Sequence, residues 1–263
     1  MSSAVNDDAV ARARQHVLQD LGWRVAPAGD ELHGEASVVP EMLVPGTAHL
    51  RASILASWAD VLAGHLAVYT RGPRVPVTLE LDVHLYRPAP GSGTVRGECR
   101  AVKSGRSVFV AGVEFVTGSG DPIGFAAASF MSAPDERLTI SIPPADPEAP
   151  APLPGRLTVP FAERAGCERV APGVATLSHA EDVLNASNTI NGGLIALTVE
   201  EAVLSLAPDT TLASLAMRYL QPARVGPVVA EAQVHDGLAR VEVRDAGNEN
   251  RLCVIATCRI FDV

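Results

Sequence analysis

The stretch "LNASNTINGGLIALTVEEAV", residues 184–203, joins a helix start to an apolar run that carries two adjacent glutamates. Asn191 is suited to cap a helix, and a glycine pair falls in the first turn after it. The run that follows is apolar nearly all round, which is typical of a helix buried on most sides. The stretch therefore predicts a core helix that holds a carboxylate in apolar surroundings.

The first half of the chain contains a matching helix. "ILASWADVLAGHL" (54–66) aligns without gaps with "LIALTVEEAVLSL" (194–206) at a constant offset of 140 residues. Asp60 then falls on Glu200, whereas Glu201 falls on an apolar residue. The acid common to both halves is therefore the Asp60/Glu200 pair, and the chain reads as two divergent repeats.

Strand patterns surround both helices. "VTLELDVHLYRP" (77–88) and "LASLAMRYLQP" (212–222) each place a proline just after an aromatic-containing strand. In residues 77–85 apolar and polar side chains alternate, which predicts a strand with one buried face. Each half is expected to hold a short strand (31–38; 174–180), a loop, one helix (54–67; 194–206) and four strands. The predicted fold class is α+β, with an antiparallel sheet wrapped around one long central helix in each half.

A proline-rich segment separates the halves. Seven of the twenty prolines lie between residues 134 and 154, a composition that favours a semi-rigid linker over a helix or central strand. We expect an N-terminal domain over residues 1–133, a linker over 134–157 and a C-terminal domain over 158–263. Residues 8–21 predict an additional amphipathic helix that extends the first domain.

Composition limits the classes of function. Hydrophobic residues make up 47% of the chain and charged residues 19%, as in globular proteins. The formal charge of −9 argues against nucleic acid as a partner. No apolar run of membrane-spanning length and no signal core are evident, so a cytoplasmic protein without a membrane partner is expected. The four cysteines lack metal-ligand spacing, so buried thiols and no metal site are expected.

The buried acids and the glycine pair are the candidate chemical groups. A carboxylate in an apolar pocket can act as general base or nucleophile, although a structural ion pair or hydrogen-bonded acid is the alternative. Gly192 and Gly193 would let a ligand oxygen approach the free N–H groups at the positive end of the helix dipole. An ordinary capped helix start is the alternative there. His49, just before the first helix, could orient a substrate or water, or simply make a cap or surface contact.

"NTINGGLIALTVEE" (188–201) resembles the signature of the hotdog-fold acyl-CoA thioesterases, specifically their PaaI-like branch. That signature has an asparagine, a short loop, His-Gly-Gly, and an acid nine residues after the histidine. Here Asn191 stands in place of the histidine, and Glu200 is the acid. "GTAHLRASILASWAD" (46–60) keeps the acid but lacks both glycines and has a shifted histidine. The resemblance implies a double hotdog, with both halves in one chain and their sheets joined edge to edge.

The resemblance also implies composite catalytic sites. Asp60 would face the second helix start at Asn191–Gly193, and Glu200 would face the first helix start at residues 51–53. The helix N–H groups would stabilise an oxyanion while the carboxylate activates water or attacks directly. The Asp60 site is the better equipped, so the Glu200 site is expected to be inactive or altered. The implied activity is hydrolysis of an acyl-CoA, or of an acyl-carrier thioester, to the free acid and thiol.

Coenzyme A would enter as part of the substrate, with no separate cofactor. Its phosphates need local positive charge, for which four arginines at strand ends and turns are candidates. These are Arg87, Arg106, Arg218 and Arg224, although solvated surface arginine is the ordinary role of each. Two alternatives stay open: a hotdog enoyl-CoA hydratase or dehydratase, and a non-catalytic acyl-binding or assembly module. A homo-oligomer of double-hotdog units is also compatible with the sequence.

Overall fold

The computed structural model describes residues 16–142 and 156–261, and its two long helices occupy the predicted places. Helix α1 spans Ala52–Arg71, the short α2 spans Phe161–Ala165, and α3 spans Gly192–Leu204. Both long helices begin two residues earlier than predicted. Helix α1 also runs further, to the glycine at position 72, whose φ of 93° is the conformation that favours glycine.

Twelve strands form one antiparallel sheet in the order β1-β2-β4-β5-β6-β3-β9-β12-β11-β10-β8-β7. In chain order they are Arg24–Ala28, Glu31–Ser37, Pro76–Leu85, Thr94–Ser104, Val108–Thr117, Pro122–Ser132, Cys167–Ala171, Val174–Leu177, Leu212–Tyr219, Val228–His235, Leu238–Asp245 and Arg251–Ile260. The four strands predicted after each helix are confirmed. The edge strands β1 and β7 were not predicted, because β1 contains a proline and β7 is mostly exposed.

Strands β3 and β9 join the two halves. Asp82 lies opposite Ala216 in their antiparallel pairing, so the sheet is continuous across the molecule. Helices α1 and α3 pack against each other antiparallel, since residues near the start of each contact residues further along the other. This is the double-hotdog arrangement that the resemblance implied, with both helices inside the curved sheet.

A β-bulge occurs at the same place in both halves and changes which side chains face the helices. In β3 the pairing with β6 shifts between Thr78 and Glu80, and in β9 the pairing with β12 shifts between Leu212 and Ser214. The extra residue reverses the in–out alternation, so Thr78 turns inward to α1 although the sequence pattern assigned it to the polar face. The predicted alternation is therefore wrong for the first residues of β3.

Two expectations about the chain's segments change in the structure. The first residues of the predicted linker belong to the first half, because Val75 N–H donates to Leu138 O at 3.0 Å and Ile140 N–H donates to Pro73 O at 2.8 Å. Of the predicted helix over residues 8–21, residues 8–15 lie outside the described residues, and Val17–Leu21 is a short 3₁₀ helix.

Helix α1 meets the length and composition of a membrane span, contrary to the expectation that no apolar run is so long. In this fold 72% of its apolar window is buried, and a mostly buried core helix meets the same criteria of length and composition. All four cysteines are buried and free, as expected.

Candidate functional site

The carboxylate of Glu200 lies against the start of helix α1 and is fully buried. One oxygen accepts hydrogen bonds from Ala52 N–H at 2.9 Å and from Ser53 N–H at 3.4 Å. The other accepts from the Ser53 hydroxyl at 2.6 Å. Glu200 therefore occupies the helix N–H donors that a thioester carbonyl would need.

Arg51 completes this buried network. Its Nη1 lies 3.2 Å from Glu200 and 2.6 Å from Glu201, and Arg169 pairs with the other Glu201 oxygen at 2.5 Å. Burial alone would lower the pKa of Arg51, but the two carboxylates outweigh that effect and raise it. The region is a charge-balanced ion-pair cluster, so Glu201 has a structural partner.

Asp60 has different surroundings. Its side chain is partly exposed and accepts a hydrogen bond from the Thr78 hydroxyl at 2.8 Å. Burial raises the pKa of Asp60 to about 6, and the hydrogen bond from Thr78 opposes that rise. No arginine contributes to the shift, so this acid can exchange a proton near neutral pH.

The start of helix α3 leaves one backbone donor open. Asn191 caps the helix, its side-chain oxygen accepting from Gly193 N–H at 2.8 Å, and Leu194 N–H donates to Asn191 O at 3.1 Å. Among the described residues, no acceptor meets the N–H of Gly192. This N–H lies at the positive end of the helix dipole, where it could bind a developing oxyanion.

Close packing, rather than a cleared ligand space, explains the two glycines. A Cβ on Gly193 would lie 2.5 Å from the Ser57 hydroxyl and 2.8 Å from Ser57 Cα, so α1 already fills that side. A Cβ on Gly192 would lie 3.1 Å from the Tyr219 hydroxyl. The expectation that both glycines make room for a ligand is corrected: they let α1 and β9 approach the start of α3.

Tyr219 connects this helix start to Asp60. Its hydroxyl donates to Gly192 O at 2.9 Å, and its ring covers Gly192. Burial, together with the charges of Asp60 and Asp82, raises the pKa of the phenol well above its usual value. Gly193 also packs against Ser57, which lies one helical turn before Asp60 on α1, so the carboxylate, the tyrosine and the start of α3 form one partly exposed cluster.

Thr78 and Tyr219 were not found by sequence reasoning, although the repeat contains a signal for both. Matching the prolines at 88 and 222 gives an offset of 134 residues between β3 and β9, and the two bulges agree with it. Leu212 then corresponds to Thr78, and Leu85 to Tyr219. Polar side chains at these positions therefore distinguish the Asp60 site from its counterpart.

His49 is not brought to either carboxylate by any hydrogen bond among the described residues. It is partly exposed, and its backbone N–H donates to the Thr47 hydroxyl at 3.2 Å. Its backbone also forms an isolated antiparallel β-bridge with Pro90. Its contacts are those of a residue in the loop before α1.

The four candidate arginines do not form one cluster. Arg218 is paired with Asp82 and Glu80 across the β3–β9 junction, so its charge is neutralised. Arg87 follows β3, and Arg106 lies in the turn between β4 and β5, at the opposite end of the first-half sheet. Arg224 is exposed and follows Ala223, whose carbonyl accepts from the residue just before Asn191. Of the four, Arg224 is the one beside the start of α3.

No group of three His, Cys, Asp or Glu side chains within residues 16–142 and 156–261 is arranged to hold a metal ion.

Residues 49–123 match the family model of the Thioesterase superfamily. This segment is similar to members of that superfamily. It contains helix α1 with Asp60 and strand β3 with Thr78, and the match indicates thioester hydrolase activity. No curated protein matches the chain in sequence.

Solved structures share the fold over nearly the whole chain. An acyl-ACP thioesterase from Bacteroides thetaiotaomicron is 15% identical, with a TM-score of 0.61 and coverage of 88% of this chain and 98% of that one. The tesB protein of Mycobacterium avium subs paratuberculosis is 14% identical, with a TM-score of 0.59 and coverage of 93% and 97%. A hot dog fold protein from Alicyclobacillus acidocaldarius is 16% identical, with a TM-score of 0.59 and coverage of 94% and 97%. These similarities establish the double-hotdog fold.

Proposed function

We propose that the chain hydrolyses an acyl thioester at one composite site, built from Asp60 of the first half and the start of α3 in the second. One observation carries the proposal: a partly exposed carboxylate of raised pKa shares a cluster with a helix start whose Gly192 N–H is open. The superfamily match supports the reaction type.

In the proposed reaction the thioester carbonyl oxygen accepts from Gly192 N–H. Asp60, held by Thr78, takes a proton from water as the water oxygen bonds to the carbonyl carbon. The carbon–sulfur bond then breaks, and the proton on Asp60 passes to the departing thiolate, so the products are a carboxylic acid and a thiol. One hydrogen-bond donor to the oxyanion is worth roughly 3–4 kcal/mol in the best-measured case, which is a side-chain amide.

Asp60 could instead attack the carbonyl carbon and form an anhydride, which water would cleave. A single turnover in ¹⁸O-labelled water detects one form of the second route. Label in the side chain of Asp60 shows nucleophilic attack with the anhydride cleaved at its aspartyl carbonyl, whereas label in the released acid alone fits both general-base catalysis and cleavage of the anhydride at its acyl carbonyl.

Glu200 has a structural role in this proposal. Its carboxylate already accepts from the N–H groups of Ala52 and Ser53, so a thioester carbonyl would have to displace it. Arg51 also holds it as a buried ion pair. The second composite site is therefore closed by its own acid.

The leaving thiol is that of coenzyme A or an acyl carrier. Arg224, exposed beside the start of α3, is the arginine best placed to meet a phosphate of either thiol. Acyl-carrier substrates belong in the test because the structural neighbours include an acyl-ACP thioesterase.

The test is thiol release from a panel of acyl-CoA and acyl-ACP substrates, with the Asp60→Asn variant as control. We expect release by the native protein and its loss in the variant. Binding without thiol release would favour an acyl-binding module. A change in enoyl absorbance on enoyl-CoA, without thiol release, would favour a hydratase.

A further inference from the structure

The residue in β9 that touches the start of α3 has no assigned part in the reaction. We infer that Tyr219 is a positioning residue of the Asp60 site: by bonding the carbonyl of Gly192 it fixes that residue, so that the Gly192 N–H in the adjoining peptide faces the thioester carbonyl. This inference rests on the proposed function for its kinetic consequence, while its structural basis is independent.

Two contacts fix Gly192 from one side. The Tyr219 hydroxyl donates to Gly192 O at 2.9 Å, and the ring leaves only 3.1–3.4 Å between its nearest atoms and a Cβ built on Gly192. The first turn of a helix lacks the full set of backbone hydrogen bonds and tends to fray. A side chain that bonds the Gly192 carbonyl therefore restricts the peptide between Gly192 and Gly193 and, through the shared Cα of Gly192, the adjoining peptide that carries the Gly192 N–H.

The hydroxyl is suited to donate permanently. Burial and the nearby acids disfavour the phenolate, so Tyr219 keeps its proton at neutral pH. Its Oη also lies 3.6 Å from the sulfur of Met217 on the same strand. The shorter of these two contacts is the hydrogen bond to Gly192 O, so Tyr219 acts through the backbone rather than as an acid or base.

The other half lacks this device. Leu85 stands at the position that corresponds to Tyr219, and the start of α1 is held by Glu200 instead. Each helix start is thus hydrogen-bonded by a side chain from another element: a carboxylate that covers the donors of α1, and a tyrosine that leaves the Gly192 N–H of α3 uncovered. The difference is what a positioning role for Tyr219 requires.

The first test is kinetic. The Tyr219→Phe variant keeps the ring and removes the hydroxyl, and we expect kcat to fall about tenfold with KM changed less than twofold. Tyr219→Leu, which installs the residue of the other half, should lose more. The matched control is Tyr86→Phe, since Tyr86 is 61% exposed, and it should leave both constants unchanged. An unchanged kcat in Tyr219→Phe overturns the inference.

The second test does not depend on turnover. The Gly193 N–H is hydrogen-bonded to the Asn191 side chain and lies in the same peptide as the carbonyl that Tyr219 bonds. Its hydrogen exchange, followed by NMR, should be at least fivefold faster in Tyr219→Phe than in the native protein and the Tyr86→Phe control. Equal exchange rates overturn the inference. If the native protein releases no thiol from any substrate, the proposed function fails, and the exchange rates still decide whether Tyr219 holds the helix start.

Discussion

The starts of helices α1 and α3 occupy equivalent places in a duplicated fold, yet they differ in what covers their backbone donors. At α1 the carboxylate of Glu200 accepts from Ala52 and Ser53, and Arg51 neutralises it inside the protein. At α3 the corresponding acid is Asp60, one methylene shorter, and it bonds to Thr78 instead.

This comparison shows that the position of an acid does not by itself make it catalytic. Glu200 and Asp60 occupy equivalent positions in the two aligned helices. Only Asp60 is partly exposed and has an open helix donor in its cluster. A carboxylate that satisfies the helix donors stabilises the fold and closes the site. A carboxylate held away from them leaves a place for substrate.

The largest difference should appear in catalysis. Asp60→Asn is expected to lower kcat/KM about a thousandfold, because it removes the base while keeping the side-chain shape and an acceptor for Thr78. Glu200→Gln should keep kcat/KM within about threefold per folded molecule. Thiol release from the best acyl-CoA measures both, and comparable losses in the two variants would refute the asymmetry.

Stability should show the reverse order. Glu200→Gln is expected to lower the free energy of unfolding by about 3 kcal/mol, since it leaves the buried charge of Arg51 without one of its partners. Urea unfolding measures this. The control is Glu249→Gln, whose partner Arg251 is exposed and whose loss should cost less than about 0.5 kcal/mol. Equal costs would show that the buried network contributes little.

Helix packing at α3 gives the next effect. Gly193→Ala is expected to destabilise the protein by about 2 kcal/mol, because the new methyl group would meet Ser57 at 2.5–2.8 Å. Gly64→Ala, in the interior of α1, is the matched control. A Cβ there lies 3.9 Å from its nearest neighbours, so alanine should stabilise by about 0.5–1 kcal/mol. Tolerance of Gly193→Ala would mean that α1 and α3 can separate without cost.

The pH dependence of activity and that of stability should both reflect the titration of Asp60. Its folded pKa is raised to about 6, so the folded protein binds this proton more tightly than the unfolded chain does. Stability from this group is therefore present below pH ~4 and is lost as pH rises through about 6. The logarithm of kcat/KM should rise with pH below about 6 and level off above it, because Asp60 acts in its ionised form.

Asp60→Asn should remove the stability loss, so its free energy of unfolding relative to the native protein should increase between pH 4 and 7. Urea titrations at several pH values test this sign. A constant difference across that range would show that Asp60 titrates alike in the folded and unfolded states.

The smallest expected effect concerns Thr78. Its hydrogen bond lowers the pKa of Asp60, so Thr78→Val should move the midpoint of the pH–rate profile above 6. Thr257→Val, at an exposed position of β12, should leave the midpoint in place. A downward shift in Thr78→Val would contradict the assigned hydrogen bond.

Much of the fold follows from local patterns in the chain. Hydrophobic periodicity predicts the apolar helices and the four strands after each helix, and the 140-residue offset identifies the acid that the helices share. The edge strands β1 and β7 escape such reasoning because they are short and poorly patterned. Thr78 escapes it because a bulge turns the side chain to the opposite face, and no pattern in residues 77–85 signals the extra residue.

The sequence by itself determined that two related halves each carry a buried helix with an acid at the same position, and that the second helix has a capped, glycine-containing start. Only the tertiary structure decided which acid is free. That outcome depends on atoms from distant segments: Arg51 on Glu200, Thr78 on Asp60, and Tyr219 on the start of α3. Such contacts are set by how two antiparallel helices and a bulged sheet bring those segments together, and no single segment encodes them.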